Sequence, residues 1–333
     1  MTAVLVTGAS GMLGRAVAQA LIVRGDEVTV MQRRSSGRGG AAALGCREML
    51  GDITDQDAVR RAVRGQDAVI HLAAKVDVSG RWADYRAVNI DGTKNLLHAA
   101  LNAGAGRFVH ISSPSVAHAG RPLIGAGAQP AEARSTRGYY ARSKALAEQA
   151  ALQFNGADLA VMALRPHLVW GPGDTQLIAR VVARARARRL VIVGSGAALI
   201  DTTYVTNAAD ALVAGLDRCT AAAGEALVIS NGEPRPLAEI VARVCAAAGI
   251  DRRRPHVPYP VAWAAGATVD ALWAVRTRIG RPGEPPLTRF VVNQMGTAHW
   301  FAQQRTRAVL QWTPRVDLET GFAELARHYA AQR

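Results

Sequence analysis

The chain predicts an α/β fold: a doubly wound parallel sheet with a smaller, mostly C-terminal α/β lobe. Three observations carry this expectation. Short apolar runs alternate with helix-period segments through the first half. A glycine-rich turn, Thr7-Gly8-Ala9-Ser10-Gly11-Met12-Leu13-Gly14, joins the first apolar run to the first helix. A length of 333 residues suits one large domain, or two lobes sharing a core.

Taken in order, residues 4–6 read as a buried strand and 13–24 as a helix that Gly25 is placed to end. Residues 27–31, 68–72 and 107–112 read as further strands, and 85–103 as one long helix closed at Gly104. A helix over 139–154 and a strand over 159–165 follow, while 35–45 reads as a loop and 119–137 as a long surface connection. Past Pro172, helices near 177–188, 207–218 and 237–248 are separated by short strands at 190–193 and 226–229. Residues 1–170 are assigned to the first domain, with strand 226–230 returning to it, and 171–333 to an interleaved substrate lobe. Segment 258–301 carries Trp263, Trp273, Trp300 and Phe290, but Asp270, Arg276, Arg278 and proline-glycine stretches interrupt it. A spanning helix needs about 20 largely uncharged residues. The segment reads instead as a substrate lid or an interfacial helix.

Composition narrows the function classes. Hydrophobic content of 49% with few aromatics fits an ordinary soluble enzyme. Cys46, Cys219 and Cys245 lie far apart in no metal-ligand or CxxC spacing, so neither a metal nor a disulfide frame is expected. With no basic leader before the first strand, a cytoplasmic location is expected. The net charge of +14 comes from 37 arginines against three lysines. The arginines are scattered, as at Arg180, Arg184, Arg186, Arg188 and Arg189, which reads as solvated helix faces and not a nucleic-acid footprint. Such a surface still attracts anionic cofactors, acyl substrates or an anionic membrane.

The glycine turn is the phosphate end of a candidate nucleotide site. Gly8 can take the tight turn, Gly11 lets backbone approach a pyrophosphate, and Gly14 lets helix and strand pack closely. The helix start offers N–H groups to phosphate, the alternative being a turn with no ligand. At the end of the second strand stand Gln32-Arg33-Arg34, two guanidiniums and no carboxylate. Arginine forks suit a 2′-phosphate, so NADP(H) is expected over NAD(H), unless Arg33 and Arg34 only share the arginine excess. Asp52 can accept from the adenine amino group or cap the helix beginning nearby. Leu72, Ala73 and Ala74 end the fourth strand with small residues against which a cofactor can lie. Tyr140 and Lys144, four residues apart on a helix, share one face. An ammonium there favours phenolate and lowers a tyrosine pKa from about 10.

In this order the motifs resemble the extended short-chain dehydrogenase/reductase family: TGxxGxxG, the Asp52-Ile53 pair, HLAA from His71, VNxxGTxNLL from Val88, SSxSV from Ser112, YxxxK from Tyr140 and RPxxxxGPGD from Arg165. A C-terminal element at 305–314 extends the likeness over the whole chain. The resemblance implies a Rossmann-type fold and a nicotinamide cofactor. It implies Ser113 as the carbonyl-orienting hydroxyl, with Ser112 and Ser115 as neighbours that can be mistaken for it. Tyr140 is the implied acid/base, and Lys144 holds the nicotinamide ribose while lowering the Tyr140 pKa. Ser10, Met12, Leu13, Ile53, Pro166 and Leu168 join the implied cofactor contacts, with His167 packed beside them. Asn89 either supports a water linked to Lys144 or is a structural amide.

Departures narrow the branch. Val116 is followed by Ala117-His118 where nucleotide-sugar epimerases carry Tyr-Gly, and His167 stands in a segment where they usually carry asparagine. Both resemble the 3β-hydroxysteroid/sterol dehydrogenase branch, which handles large apolar substrates. Runs 113–118, 170–174, 201–204, 229–234 and 283–290 resemble, within that branch, the 2-alkyl-3-oxoalkanoate reductases of olefin and β-lactone biosynthesis. That implies NADPH-dependent reduction of a β-keto acid, with His118, His167 or Arg289 as cations for its carboxylate. A sterol dehydrogenase and a non-catalytic NADP-binding protein are the alternatives. A homodimer and peripheral association with a membrane or pathway enzymes are implied by analogy.

Overall fold

The computed structural model describes residues 1–35, 41–76, 80–117, 121–136, 138–278 and 287–332. Its first half runs β1 (Ala3–Thr7), α1 (Met12–Arg24), β2 (Glu27–Gln32), β3 (Arg47–Leu50), α2 (Gln56–Val63), β4 (Ala68–His71), α3 (Trp82–Tyr85), α4 (Gly92–Asn102), β5 (Arg107–Ile111), β6 (Leu123–Ala126), α5 (Tyr139–Gln153), β7 (Ala160–Pro166) and β8 (Val169–Trp170). There follow α6 (Leu177–Arg186), β9 (Ile192–Val193), β10 (Leu199–Ile200), β11 (Thr203–Tyr204), α7 (Val205–Arg218), β12 (Ala226–Ile229), β13 (Arg235–Pro236) and α8 (Leu237–Ala247). The chain closes with β14 (His256–Val257), α9 (Tyr259–Arg278), α10 (Arg289–Gly296), β15 (His299–Phe301), α11 (Gln304–Leu310) and α12 (Leu318–Ala330).

The main sheet has seven strands in the order β12-β7-β5-β4-β1-β2-β3, every pairing parallel. Parallel strands buried on both faces need continuous apolar runs, and Val4-Leu5-Val6 is such a run with no exposure. The period of two sends Val4 and Val6 into one core with Leu21 of α1 and Leu212 of α7. Leu5 enters the other, with Val59 of α2, Leu96 of α4 and Phe108 of β5. Each fully buried side chain of this kind contributes about 1.5–3 kcal/mol. The strand order reverses between β1 and β4, which opens a crevice at their carboxyl ends, where ligands bind in such sheets.

Several expectations change. The long helix over 85–103 is α3, a π-helical segment at Arg86–Asp91, and α4. The surface connection contains β6, which joins a second sheet in the order β13-β10-β15-β6. The strand expected at 190–193 shortens to β9, paired with β14. Strand β12 hydrogen-bonds to β7, and α7 packs on α1, so elements past residue 171 enter the first core. Segment 258–301 forms α9, α10 and β15, with 279–286 outside the described residues. Among the described residues no helix is long and apolar enough to cross a membrane. The three cysteines are free and buried.

Candidate active site

The crevice is built first from glycine. Gly8 has φ +79°, and a Cβ there would lie 2.7 Å from the Ala73 nitrogen. A Cβ on Gly14 would lie 2.4 Å from the Gly8 carbonyl oxygen, so α1 and the turn touch backbone to backbone. Gly11 differs: a Cβ there would meet only the Gly8 oxygen at 3.6 Å. Nothing in the protein needs that position bare, whereas an approaching phosphate does. Gly11 also caps α1 with no side-chain hydrogen bond and no acidic residue in the first turn. Its N-terminal amides thus suit an anion. Ser10 is exposed, and Met12 and Leu13 are half-buried alongside. This cradle fits a dinucleotide pyrophosphate.

Arg33 and Arg34 are exposed just past β2. The expectation that no carboxylate stands there is corrected by the neighbouring strand. Glu48 of β3 accepts from Gln32 Nε2 and, at 2.9 Å, from Ser35 Oγ. Asp52 accepts from the Thr54 N–H and hydroxyl at 2.9 and 2.8 Å, while Asp55 caps α2. The capping alternative for Asp52 is therefore excluded. Ile53 is buried, 2.8 Å from where a Cβ on Gly92 would sit.

A run of hydrogen bonds backs the crevice. Thr7 Oγ1 accepts from the Ala73 N–H at 3.1 Å and lies 2.7 Å from His71 Nδ1. His71 Nε2 lies 2.9 Å from Thr93 Oγ1, which donates to the Asn89 carbonyl at 2.6 Å. Burial, then the Lys144 charge, lowers the His71 pKa to about 3, so the ring is neutral. The donor order follows: the Thr7 hydroxyl gives to Nδ1, and Nε2–H gives to Thr93. Asn89 accepts from the Lys75 N–H at 2.7 Å and donates to the Lys75 carbonyl and to Ser143 Oγ at 3.1 and 2.9 Å. Its side chain is thus a structural clamp, the second of the two readings given it above.

Tyr140 opens α5, and the helix carries Lys144 one turn on. The Ser113 hydroxyl is the side chain that pulls the Tyr140 pKa down, and its Oγ lies 2.9 Å from Ser115 Oγ and accepts from the Ser115 N–H at 3.3 Å. Ser112 is buried, its N–H held by the Leu164 carbonyl, so Ser113 is the serine brought to the phenol. One expectation is overturned here. Burial raises the Tyr140 pKa, and the opposing pull comes from Ser113, not from Lys144. The Lys144 ammonium is itself buried and donates to the Ile111 carbonyl. Burial lowers its pKa to about 8, against an upward pull from Glu148. Glu148, one turn further on, is fully buried in an ion pair with Arg165, whose Nε donates to it at 2.8 Å. The sequence signal for Glu148 is the repeat of the four-residue spacing after Lys144, while Arg165 is brought to it by β7.

Leu168 has φ +42°, a left-handed conformation rare outside glycine, between Pro166 and β8. The segment is held by the His167 N–H on the Ile229 carbonyl (2.9 Å) and by Thr203 Oγ1 on the His167 carbonyl (2.7 Å). His167 is buried, with Nε2 3.1 Å from His299 Nδ1. His299 Nε2 donates to the Gln294 carbonyl at 2.8 Å. Arg289 pairs with Asp270 at 2.8 Å and lies over the Trp263 ring at 5.8 Å. His118 and residues 283–286 lie outside the described residues. Other residues behind the subfamily likeness do structural work. Asp174 accepts three N–H groups at the start of α6, and Asp201, whose pKa burial lifts to about 6, accepts from Ser230 Oγ.

Comparison with known proteins agrees with this architecture. Residues 5–259 match the sequence profile described as the 3-beta hydroxysteroid dehydrogenase/isomerase family. The chain is 40% identical to 2-alkyl-3-oxoalkanoate reductase of Stenotrophomonas maltophilia, over 98% of this chain and 99% of that protein. It is 31% identical to 3-beta-hydroxysteroid dehydrogenase of Mycolicibacterium neoaurum, over 98% of this chain and 90% of that protein. Among solved structures, MoeE5 in complex with UDP-glucose and NAD superposes with a TM-score of 0.72 at 26% identity, covering 99% of each chain.

Proposed function

The chain belongs to the 3-beta hydroxysteroid dehydrogenase/isomerase family, and from that premise we propose that it reduces the ketone of a 2-alkyl-3-oxoalkanoate to the 2-alkyl-3-hydroxyalkanoate with NADPH. It is an enzyme, an oxidoreductase with a nicotinamide cofactor. The observation that carries the reading is the 40% identity along the chain to a 2-alkyl-3-oxoalkanoate reductase, supported by the Ser113 hydroxyl acting on a Tyr140 phenol whose pKa burial raises. Such a phenol is protonated at neutral pH, the state that a proton donor to a developing alkoxide needs.

NADPH, when bound, supplies the hydride to the substrate's C3. Tyr140 gives its proton to the C3 oxygen, and Ser113 hydrogen-bonds that oxygen as charge develops. Lys144 would hold the nicotinamide ribose, Gly8–Gly14 would cradle the pyrophosphate, and Asp52 would accept from the adenine amino group. Arg33 and Arg34 take the 2′-phosphate, while Glu48 stays turned toward Gln32 and Ser35. The C-terminal elements from about residue 171 form the substrate lobe, where the apolar segment 258–301 receives the acyl chains.

A sterol dehydrogenase is the second reading, supported by the 31% identity to a protein of that name. A spectrophotometric panel separates the two: NADPH and NADH with a 2-alkyl-3-oxoalkanoate and with a 3-ketosteroid. NADPH consumption with the keto acid supports the first reading. No consumption with intact acid, alongside turnover of the steroid, overturns it.

A further inference from the structure

Helix α9 packs by one face. Ala262 is buried with Val193 and Val292, and a Cβ on Gly266 would lie 2.9 Å from the Arg289 nitrogen, so this face sits on α10. The opposite face is exposed and carries Val261, Ala264, Ala265, Thr268, Leu272 and Val275, a run at helical spacing with no charge in it. Val261, Leu272 and Val275 are 58%, 56% and 54% exposed. The Thr268 hydroxyl donates to the Ala264 carbonyl at 3.1 Å, so the one polar group of the stripe bonds within the helix. At 1.5 Å per residue the stripe runs about 21 Å. The contrast is with α2, whose exposed positions are Gln56, Asp57, Arg60 and Arg61. In a chain this rich in arginine, a surface helix with an uncharged outer face is built to be covered.

Charge selects what covers it. Asp270, the one acid of the helix, is paired with Arg289 at 2.8 Å. Arg276 lies over the Trp273 ring at 5.0 Å, and Arg289 over the Trp263 ring at 5.8 Å. Arg252 and Arg253 are exposed just ahead of β14, which leads into α9. A second copy of the chain, at net charge +14, would bring the same cations to the contact and be repelled. An anionic bilayer surface offers phosphates to the guanidiniums and hydrocarbon to the stripe. Tryptophan is at home at the headgroup level, where one end of the ring is apolar and the other wet. Among the described residues no helix is long and apolar enough to cross a membrane, so the contact is with α9 lying flat.

We infer that the outer face of α9 docks the protein on an anionic membrane surface, with Val261, Leu272 and Val275 entering the boundary between headgroups and acyl chains. The docking does not depend on which ketone is reduced. The test is co-sedimentation of the full chain with vesicles of phosphatidylcholine alone, and of phosphatidylcholine with about one-third phosphatidylglycerol, while tryptophan emission is followed. Wild type should bind the anionic vesicles about tenfold or more tighter than the neutral ones, with emission shifted to the blue. Leu272→Asp with Val275→Asp should weaken that binding about tenfold or more. Val23→Asp, at an 82% exposed apolar site on α1, should leave it within about twofold. Where circular dichroism shows the double variant unfolded, Val261→Asp reads the same face. Binding that survives the α9 substitutions and only follows salt is an effect of net charge and overturns the inference. So does a wild type left in the supernatant with anionic vesicles, or a dimer, broken by the same substitutions, in place of vesicle binding.

Discussion

Asn89 donates to Ser143 Oγ at 2.9 Å, and that bond ends a run that begins at Thr7 in the glycine turn. It passes through His71 and Thr93 before reaching the Asn89 backbone. Ser143 in turn donates to the Tyr140 carbonyl at 2.8 Å. The glycine turn and the helix that carries Tyr140 are therefore joined by side chains, not only by the sheet. The π-helical segment Arg86–Asp91 is what turns Asn89 inward to make the link. Replacing Asn89 with Ala leaves the buried Ser143 hydroxyl and the part-buried Lys75 N–H and carbonyl unmet, which should cost about 1–3 kcal/mol each at most. A lower Tm with a larger fall in kcat than in NADPH affinity is expected. Unchanged kcat in a folded variant would contradict the bridging role.

The proton on Tyr140 makes its own prediction. Tyr140→Phe removes the donor and should lower kcat by about 10²- to 10⁴-fold while NADPH still binds. Single-turnover absorbance and fluorescence titration measure the two separately. A variant that retained near-normal turnover would remove Tyr140 from the reaction.

Lys144 gives a pH signature. Burial lowers its pKa from 10.5 to about 8, so the charged form is disfavoured in the folded protein. The resulting cost is fully present below about pH 8, shrinks between there and 10.5, and vanishes above, because only over that window does the unfolded chain bind the extra proton. Lys144→Met should therefore raise Tm at pH 7, and the gain should decline as pH climbs through that window. A gain constant with pH would show that the side chain's packing, not its charge, is responsible.

Glu148 and Arg165 should behave as a buried pair. Glu148→Gln strands the Arg165 guanidinium and should destabilise by about 3–5 kcal/mol in chemical denaturation. It also removes the carboxylate that pulls the Lys144 pKa upward, so the alkaline limb of the activity profile should shift to lower pH. A stability loss with no movement of that limb would confine the pair to a structural role.

Cofactor choice is tested at the end of β2. Arg33→Ala with Arg34→Ala should raise KM for NADPH by tenfold or more and leave KM for NADH within about twofold. An equal rise for both cofactors would mean that the arginines do not read the 2′ position.

What the chain revealed beforehand follows from where the information lies. Val4-Leu5-Val6, the glycine turn and the four-residue step from Tyr140 to Lys144 are local patterns, and local period fixes strand, turn and helix face. Glu48 reaches the end of β2 because β3 pairs there in register, a contact across 16 residues. β6 exists because β15, far along the chain, offers it an edge. The direction of the Tyr140 shift depends on how much protein surrounds the ring, which no spacing reports. Asn89 was visible as an amide in a motif, but its grip on Lys75 and Ser143 needed the π turn to be seen.

The imidazole pair has a mechanical consequence. His167 directly follows β7, and His299 belongs to β15, anchored at the Gln294 carbonyl in α10. The two imidazoles tie the end of β7 to β15 and, through it, to α10. Moving helix α10 outward would break the bond from His299 to the Gln294 carbonyl and so pull on the end of β7 through His167.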